Sequence, residues 1–167
     1  MKSCVRYGLM AVFLLFMLLI SACQSPVTPP VTPPVTPSTP TTGESPSVSN
    51  GRSIYFYSTS ASGERISYSG GPGGMMQGPL ACANCHGPEG HGGTVQFMMQ
   101  SVDVPDITWT DLTGQHMDHQ PYTEETIKQA ITQGVDPAGN PLEYPMPRWQ
   151  MSAQDLNDLV SFIKTLK

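Results

Sequence analysis

Cys82-Ala83-Asn84-Cys85-His86 decides how the rest of this chain is read. Two thiols three positions apart, followed at once by an imidazole, suit covalent attachment of a c-type haem. Each sulfur adds to one vinyl group on the same porphyrin edge, and the histidine turns its ring under the iron as the proximal ligand. A bare C-x-x-C pair is far less specific, since it also serves thioredoxin-like redox chemistry or half of a zinc site. The redox dithiol needs a strand-to-helix junction in a βαβ pattern, and none is legible around Cys82. Zinc would draw on Cys82, Cys85 and His86 or His91, but no second paired-ligand motif accompanies them.

Upstream, residues 1–22 read as an export signal to be left out of the fold. Lys2 and Arg6 form a basic start, and Leu9 to Ile20 is an apolar run of 12 residues. That run is short for a membrane span, which takes about 20 residues. Leu19-Ile20-Ser21-Ala22-Cys23 follows and resembles a bacterial lipobox. The resemblance implies cleavage before Cys23 and lipidation of that residue, which would hold the protein stably at a membrane surface. An ordinary signal peptide cut nearby, or an uncleaved anchor, is the alternative. With lipid on Cys23, haem on Cys82 and Cys85, and Cys4 lost with the signal, no cysteine pair remains for a disulfide.

Residues 23–49 read as the lipidated cysteine and a tether. Val-Thr-Pro-Pro recurs from Val27, and eight of the 17 prolines fall between Pro26 and Pro46. Such composition buries no core and favours an extended polyproline-like form. The globular part is expected over residues 50–167, with Asn50 capping a short helix that carries Ile54, Tyr55 and Phe56 or Tyr57. Residues 58–79, rich in Gly and Ser, read as loop with a short hairpin around Arg65 to Tyr68, and no other stable sheet is expected. Gly87 to Gly93 forms a glycine-punctuated loop in which glycines would let the backbone pass close under a haem face. His91 reads there as a solvated loop residue. It is not a phosphate loop, because the G-K-[ST] ending is absent.

Two later helices are well marked. Thr123 caps one, with Glu124 and Glu125 in its first turn, Tyr122 and Ile127 as the staple, Ile127, Ala130 and Ile131 as its buried stripe, and Gly134 as its stop. Asp136 to Gly139 reads as a type I turn. The last helix opens with Ser152 and Asp155 as a capping box and Met151 and Leu156 as a staple. Leu156, Leu159, Val160, Ile163 and Leu166 recur at helical spacing.

A haem iron held by one histidine needs a sixth ligand or keeps that position open. Candidate thioethers are Met75, Met76, Met98, Met99, Met117, Met146 and Met151, and candidate imidazoles are His91, His116 and His119. Most methionines are packing residues. Met146 differs: it lies in Tyr144-Pro145-Met146-Pro147-Arg148-Trp149, where flanking prolines remove backbone donors and stiffen the loop. At this point the chain resembles the class I c-type cytochromes, which share an N-terminal helix, Cys-x-x-Cys-His, a middle helix, a loop methionine and a C-terminal helix. The resemblance covers about residues 50–167. It implies an all-α fold around one covalent haem c bound by Cys82 and Cys85, with His86 and Met146 as axial ligands. It also implies that the two terminal helices cross, packing Ile54 to Tyr57 near Leu159 and Ile163.

The sequence departs from that pattern in two places. Some 20 Gly-rich residues separate the first helix from the haem motif. The proline whose carbonyl accepts the proximal histidine's N–H is also displaced: Pro88 is too near, and Pro105 takes the role. Trp109 and Trp149 each offer an indole N–H to a haem propionate, and each serves equally as a core aromatic.

The reading is a membrane-tethered monohaem electron carrier rather than an enzyme, exported and lipid-anchored to a bacterial membrane, with unidentified redox proteins as partners. The alternative is a haem-binding subunit or enzyme with a labile sixth ligand, for gas binding or small-molecule redox chemistry. A third class is copper binding by Met75-Met76, Met98-Met99 and His116 with His119, although copper thioether sites favour a sustained Met-rich run. Without residues 1–22 the chain has six basic and 13 acidic side chains, a net −7. It should therefore dock on basic or apolar surfaces, and it has no electrostatic case for nucleic acid.

Overall fold

The computed structural model describes residues 43–72, 80–97, 100–115 and 119–167. The export signal, Cys23, most of the tether, Met75, Met76, Met98, Met99, His116 and Met117 lie outside the described residues. Those described belong to one compact unit, Pro40–Lys167.

Helix α1 spans Pro46–Tyr57 and starts earlier than expected. Ser45 caps it, its side chain accepting from Val48 N at 3.3 Å, and Pro46 occupies the first turn, where a missing N–H is harmless. Asn50 is thus no cap but a buried mid-helix residue, and residues 46–49 belong to the domain rather than the tether. Its amide donates to Asp158 Oδ2 at 2.7 Å and Asp155 Oδ1 at 3.0 Å, and its oxygen accepts from Ala61 N at 2.6 Å. Ser47 and Gln154 donate to Asp158 Oδ1 at 2.6 and 2.8 Å, so this buried carboxylate is held by three neutral side chains.

The second partner in that network is the terminal helix α5, whose label follows from the elements between. These are strand β1 (Ser67–Ser69), the short helix α2 (Ala83–His86), β2 (Gly93–Phe97), β3 (Gln100–Val104), α3 (Trp109–Thr113), α4 (Glu124–Gln133), β4 (Arg148–Gln150) and α5 (Ala153–Ile163). Helices α1 and α5 cross at Gly51, where a Cβ would stand 2.0 Å from Asp158 O and 2.8 Å from Phe162 Cβ. Only a residue without a side chain lets the two backbones approach this closely. Around the crossing, Ile54, Tyr55, Leu159, Val160, Phe162 and Ile163 are buried, and the Tyr55 and Phe162 rings lie 5.1 Å apart. Tyr57, expected in the crossing, is 66% exposed. Tyr57 lies two residues beyond the fully buried Tyr55, about 200° around the helix, and so faces outward.

The expectation of no sheet beyond one hairpin is also corrected. A Thr59–Arg65 bridge closes a tight turn, after which β1 pairs antiparallel with β4, placing Tyr68 opposite Trp149 with rings 5.2 Å apart. A second hairpin joins β2 to β3 with Val95 opposite Val102. Three-residue strands carry no legible period, and β1 finds its partner only once the chain is folded.

Helix α4 has a reciprocal box between Thr123 and Thr126, with 3.2 and 2.8 Å bonds, and ends on Gly134 at φ 69. Asp136 O accepts from Gly139 N at 3.0 Å, closing the expected turn. At the start of α5 only half of the expected box forms. Ser152 accepts from Asp155 N at 3.1 Å, but the Asp155 carboxylate accepts from the Ser152 hydroxyl and from Asn50. Met151 and Leu156 are half-buried against the core.

Candidate functional site

Cys82, Cys85 and His86 are presented by the single turn of α2, which two anchors hold in place. Asn84 Oδ1 accepts from Ala81 N at 2.7 Å, and the Tyr55 hydroxyl donates to Gly87 O at 2.7 Å. Tyr55 is fully buried, and burial pushes its phenol above the usual range, so it remains a donor. One side chain of α1 thereby ties the terminal-helix crossing to the C-terminus of the motif.

His86 is buried, and its Nδ1–H donates to Pro105 O at 3.1 Å. Burial lowers its proton affinity, outweighing the opposing effects of Pro105 and Asp106, so the ring is neutral with Nε2 as its lone-pair nitrogen. That is the form a histidine needs to bind iron, and the carbonyl on Nδ1 fixes its tautomer and makes it a stronger donor. Gly92 makes this approach possible. It sits at φ +64, and a Cβ there would stand 2.1 Å from Val104 O and 2.5 Å from Pro105 O. At Gly92 the glycine-rich loop thus makes room for the protein's own backbone behind His86. The loop is pinned by Gly92 N to His86 O at 2.9 Å and Ile107 N to Gly90 O at 2.7 Å. His91, more than half exposed, bonds through Nδ1 to Asp106 Oδ2 at 2.8 Å.

Both free thiols are held neutral. Burial pushes Cys82 up to about 12, with Cys85 beside it adding to the effect, and burial raises Cys85 as well. Redox-active C-x-x-C pairs have the opposite property, a thiol lowered toward neutrality. The dithiol reading is therefore disfavoured on chemical grounds.

Cys82, Cys85 and His86 line a cavity of about 380 Å³, a size typical of cofactor sites at roughly 300–1,000 Å³. Its walls are mostly aliphatic, with Leu80, Leu112, Ile127, Ile131, Leu159 and Ile163 drawn from three helices and the loop before α2. Ala130 is half-buried on this wall, whereas Ile127 and Ile131 of the same stripe are buried. Met146 reaches the same cavity from the loop between α4 and β4, together with Tyr144, Pro145 and Pro147. Trp149 is buried on the wall, while Trp109 is not among the lining residues. The Trp109 ring lies instead under the Lys164 ammonium, 5.2 Å from its centroid. Met151 is likewise absent from the lining.

Two residues take places at the site that sequence reasoning did not give them, although His119 stood among the candidate imidazoles. Arg148 spreads its guanidinium over three carbonyls: Gly134 at 3.3 Å, Leu142 at 3.1 Å and that of Met146. It fastens the methionine loop to the end of α4, and only glycine leaves room for it, since a Cβ on Gly134 would meet its Nε at 2.1 Å. His119 is the other, lining the cavity between α3 and α4. An arginine two residues after the candidate methionine was a usable signal, while nothing local told that His119, one of the candidate imidazoles, would line this cavity.

A family model described as Cytochrome c matches residues 75–167. The chain belongs to the cytochrome c family. Comparison with curated proteins and with solved structures returned no match. The matched segment begins after α1, so this cytochrome c recruits its first crossing helix from outside it, across the Gly-rich insertion. The fold is a cytochrome c fold of helices with two small two-stranded sheets.

As a cytochrome c, the protein carries covalent haem c and serves in electron transfer. The residues present fit that group, with paired cysteines on one turn, a neutral histidine of fixed tautomer, an aliphatic cavity and a thioether on its wall. Bound there, the haem supplies an iron that changes charge by one electron.

Proposed function

We propose that this cytochrome c is a lipid-tethered, one-electron carrier whose haem is held by thioethers from Cys82 and Cys85 and by axial bonds from His86 and Met146. The observation that carries the ligand assignment is that Met146 and the Cys82-Cys85-His86 turn share one cavity. A thioether sixth ligand favours ferrous iron and raises the potential. Aliphatic walls and a loop clamped by Arg148 keep the site from reorganising between oxidation states, and Pro105 tunes His86 from behind. Trp149 contributes wall packing and an indole N–H.

The tether reading rests on the lipobox-like Leu19 to Cys23 and the Pro/Thr-rich stretch that follows. Cleavage before Cys23 and acylation would leave the domain on a leash at the surface of a bacterial membrane, facing the periplasm or the exterior. Its redox partners would then meet it there. The net charge of −7 for residues 23–167, before two haem propionates, suits partners with basic or apolar docking faces.

Two experiments test the reading. Met146→Ala should abolish the far-red sulfur-to-iron band of the ferric protein and admit carbon monoxide or imidazole. Met151→Ala should keep the band and lose about 1–3 kcal/mol of stability, as a half-buried side chain. A band that survives Met146→Ala but is lost in another methionine variant refutes the ligand assignment. For the tether, intact mass after membrane extraction should exceed polypeptide plus haem by the lipid groups, and Cys23→Ser should release a soluble haem protein with an unchanged spectrum.

A further inference from the structure

Resting on the reading of Met146 as the sixth ligand, we propose that residues 58–72 form a strap that positions Met146 and keeps its coordination position closed to small ligands, with Tyr68 and Gly71 as the positioning residues.

The strap begins where α1 stops. Ser58 takes a left-handed conformation at φ 50, is buried, and fastens two distant points of the chain. Its carbonyl accepts from Ile66 N at 2.8 Å, and its hydroxyl donates to Leu80 O beside the cavity wall. Between Ser58 and Ile66 the chain turns back through the Thr59–Arg65 bridge, with Ser60 N donating to Glu64 O at 2.9 Å. Asn50 of α1 holds that turn through Ala61 N, and Ile66 is buried in the core. A segment anchored in this way to α1 and the core is a fixed platform for whatever it touches next.

What it touches is the methionine loop. β1 runs antiparallel to β4 with Ser69 opposite Arg148, two positions beyond Met146. The Tyr68 ring lies 5.2 Å from that of Trp149, which is buried on the cavity wall. After β1, Gly71 at φ +71 passes both prolines that flank Met146. A Cβ there would lie 2.9 Å from Pro145 O and 3.0 Å from Pro147 Cβ. Glycine alone suits both the left-handed backbone and so close an approach. Pro72, next in the chain, is buried.

Arg148 ties the same loop to Gly134 at the end of α4. The strap is a second attachment, to different elements: α1 and Leu80. The matched family segment starts at residue 75, so β1, Gly71 and Pro72 lie outside it. The strap is therefore an addition to the matched domain, and it lands on the loop whose movement would uncover the iron. A small molecule reaches the sixth position only when that loop backs away, and pairing β4 and covering both prolines oppose this.

The test compares two adjacent glycines. Gly70 has φ +68 and nothing within 4 Å of its virtual Cβ, so Gly70→Ala carries the left-handed strain of Gly71→Ala without the contact. Imidazole is titrated into each ferric, haem-loaded protein, with loss of the far-red band as the readout. It binds only the fraction of molecules in which Met146 has moved away, so its apparent affinity rises with that fraction. Gly71→Ala should bind imidazole about tenfold or more tightly than wild type, and Gly70→Ala within about twofold of wild type. Tyr68→Ser should bind it about two- to tenfold more tightly through loss of the ring pair, whereas Tyr68→Phe should match wild type. Hydrogen exchange over residues 144–150 should quicken in Gly71→Ala and Tyr68→Ser alone. The tyrosine pair decides the matter even if Gly71→Ala does not fold. Equal affinities in Gly71→Ala and Gly70→Ala, or a Tyr68→Ser protein as closed as wild type, overturn the strap. A wild type without the far-red band, or a band that survives Met146→Ala, instead refutes the ligand reading on which the strap rests.

Discussion

Gly92→Ala should destabilise the protein far more than an alanine at another left-handed glycine, and it should raise the potential. At φ +64 an alanine carries about 1–2 kcal/mol of left-handed strain. Its Cβ would also sit 2.1 Å from Val104 O and 2.5 Å from Pro105 O, both main-chain atoms that cannot rotate away. Overpacking of this kind costs about 1–3 kcal/mol. Lower unfolded-state entropy returns about 0.4–1 kcal/mol, for a net loss of roughly 2–4 kcal/mol. Gly139 provides the control: it has φ +86 and nothing within 4 Å of its virtual Cβ, so only strain less the entropy gain applies, about 0.5–1 kcal/mol. Guanidinium unfolding of the ferric protein, followed by the Soret band and far-ultraviolet circular dichroism, measures both. The displaced Pro105 carbonyl would also draw less on His86 Nδ1–H, leaving the imidazole a weaker donor to ferric iron. Equal losses in the two variants with an unchanged potential in Gly92→Ala would refute this account of the loop.

Arg148→Lys should loosen the methionine loop, because an ammonium cannot bridge the three carbonyls that the guanidinium spans. The far-red band should then melt at a lower temperature than the helices, where wild type loses both together. Tyr55→Phe should cost about 0.5–1.5 kcal/mol through the lost bond to Gly87 O, read from the denaturation midpoint. The His91–Asp106 pair should stabilise only in a window of pH. Its bond to Asp106 raises His91, so that contribution is complete below the usual histidine range and fades as pH rises through the raised value. Burial opposes ionisation of Asp106, but bonds from His91 and Thr108 win and lower it, so its contribution fades only in acid below the usual carboxylate range. The melting-temperature difference between wild type and Asp106→Asn should therefore be largest between the usual carboxylate and histidine ranges and shrink as pH rises through the raised His91 range; a difference that does not vary with pH contradicts the pairing.

The haem motif was legible because its chemistry is local: two thiols and an imidazole within five residues act as one unit on one turn. Helices α4 and α5 were legible for a similar reason, since caps, staples and 3.6-residue periodicity are short-range. The early start of α1 was also written locally, in Ser45-Pro46, but it was masked by the proline-rich run it terminates. Asn50, read as a cap, shows how a good capping residue takes another role when a helix starts upstream and a carboxylate faces it.

What the sequence determined alone, then, was the candidate haem turn, the candidate loop methionine between two prolines, and the helices bearing an aliphatic stripe. Tertiary structure alone decided which backbones touch. It set Gly51 against Asp158 and Gly92 against Pro105, threaded Arg148 under Gly134, paired β1 with β4, removed Trp109 from the cavity wall and brought His119 to it. The physical reason is that these are contacts of excluded volume and of hydrogen bonding between distant segments. A glycine, an arginine or a histidine carries no local mark of which remote carbonyl or cavity it will meet, and only the packed chain supplies that partner.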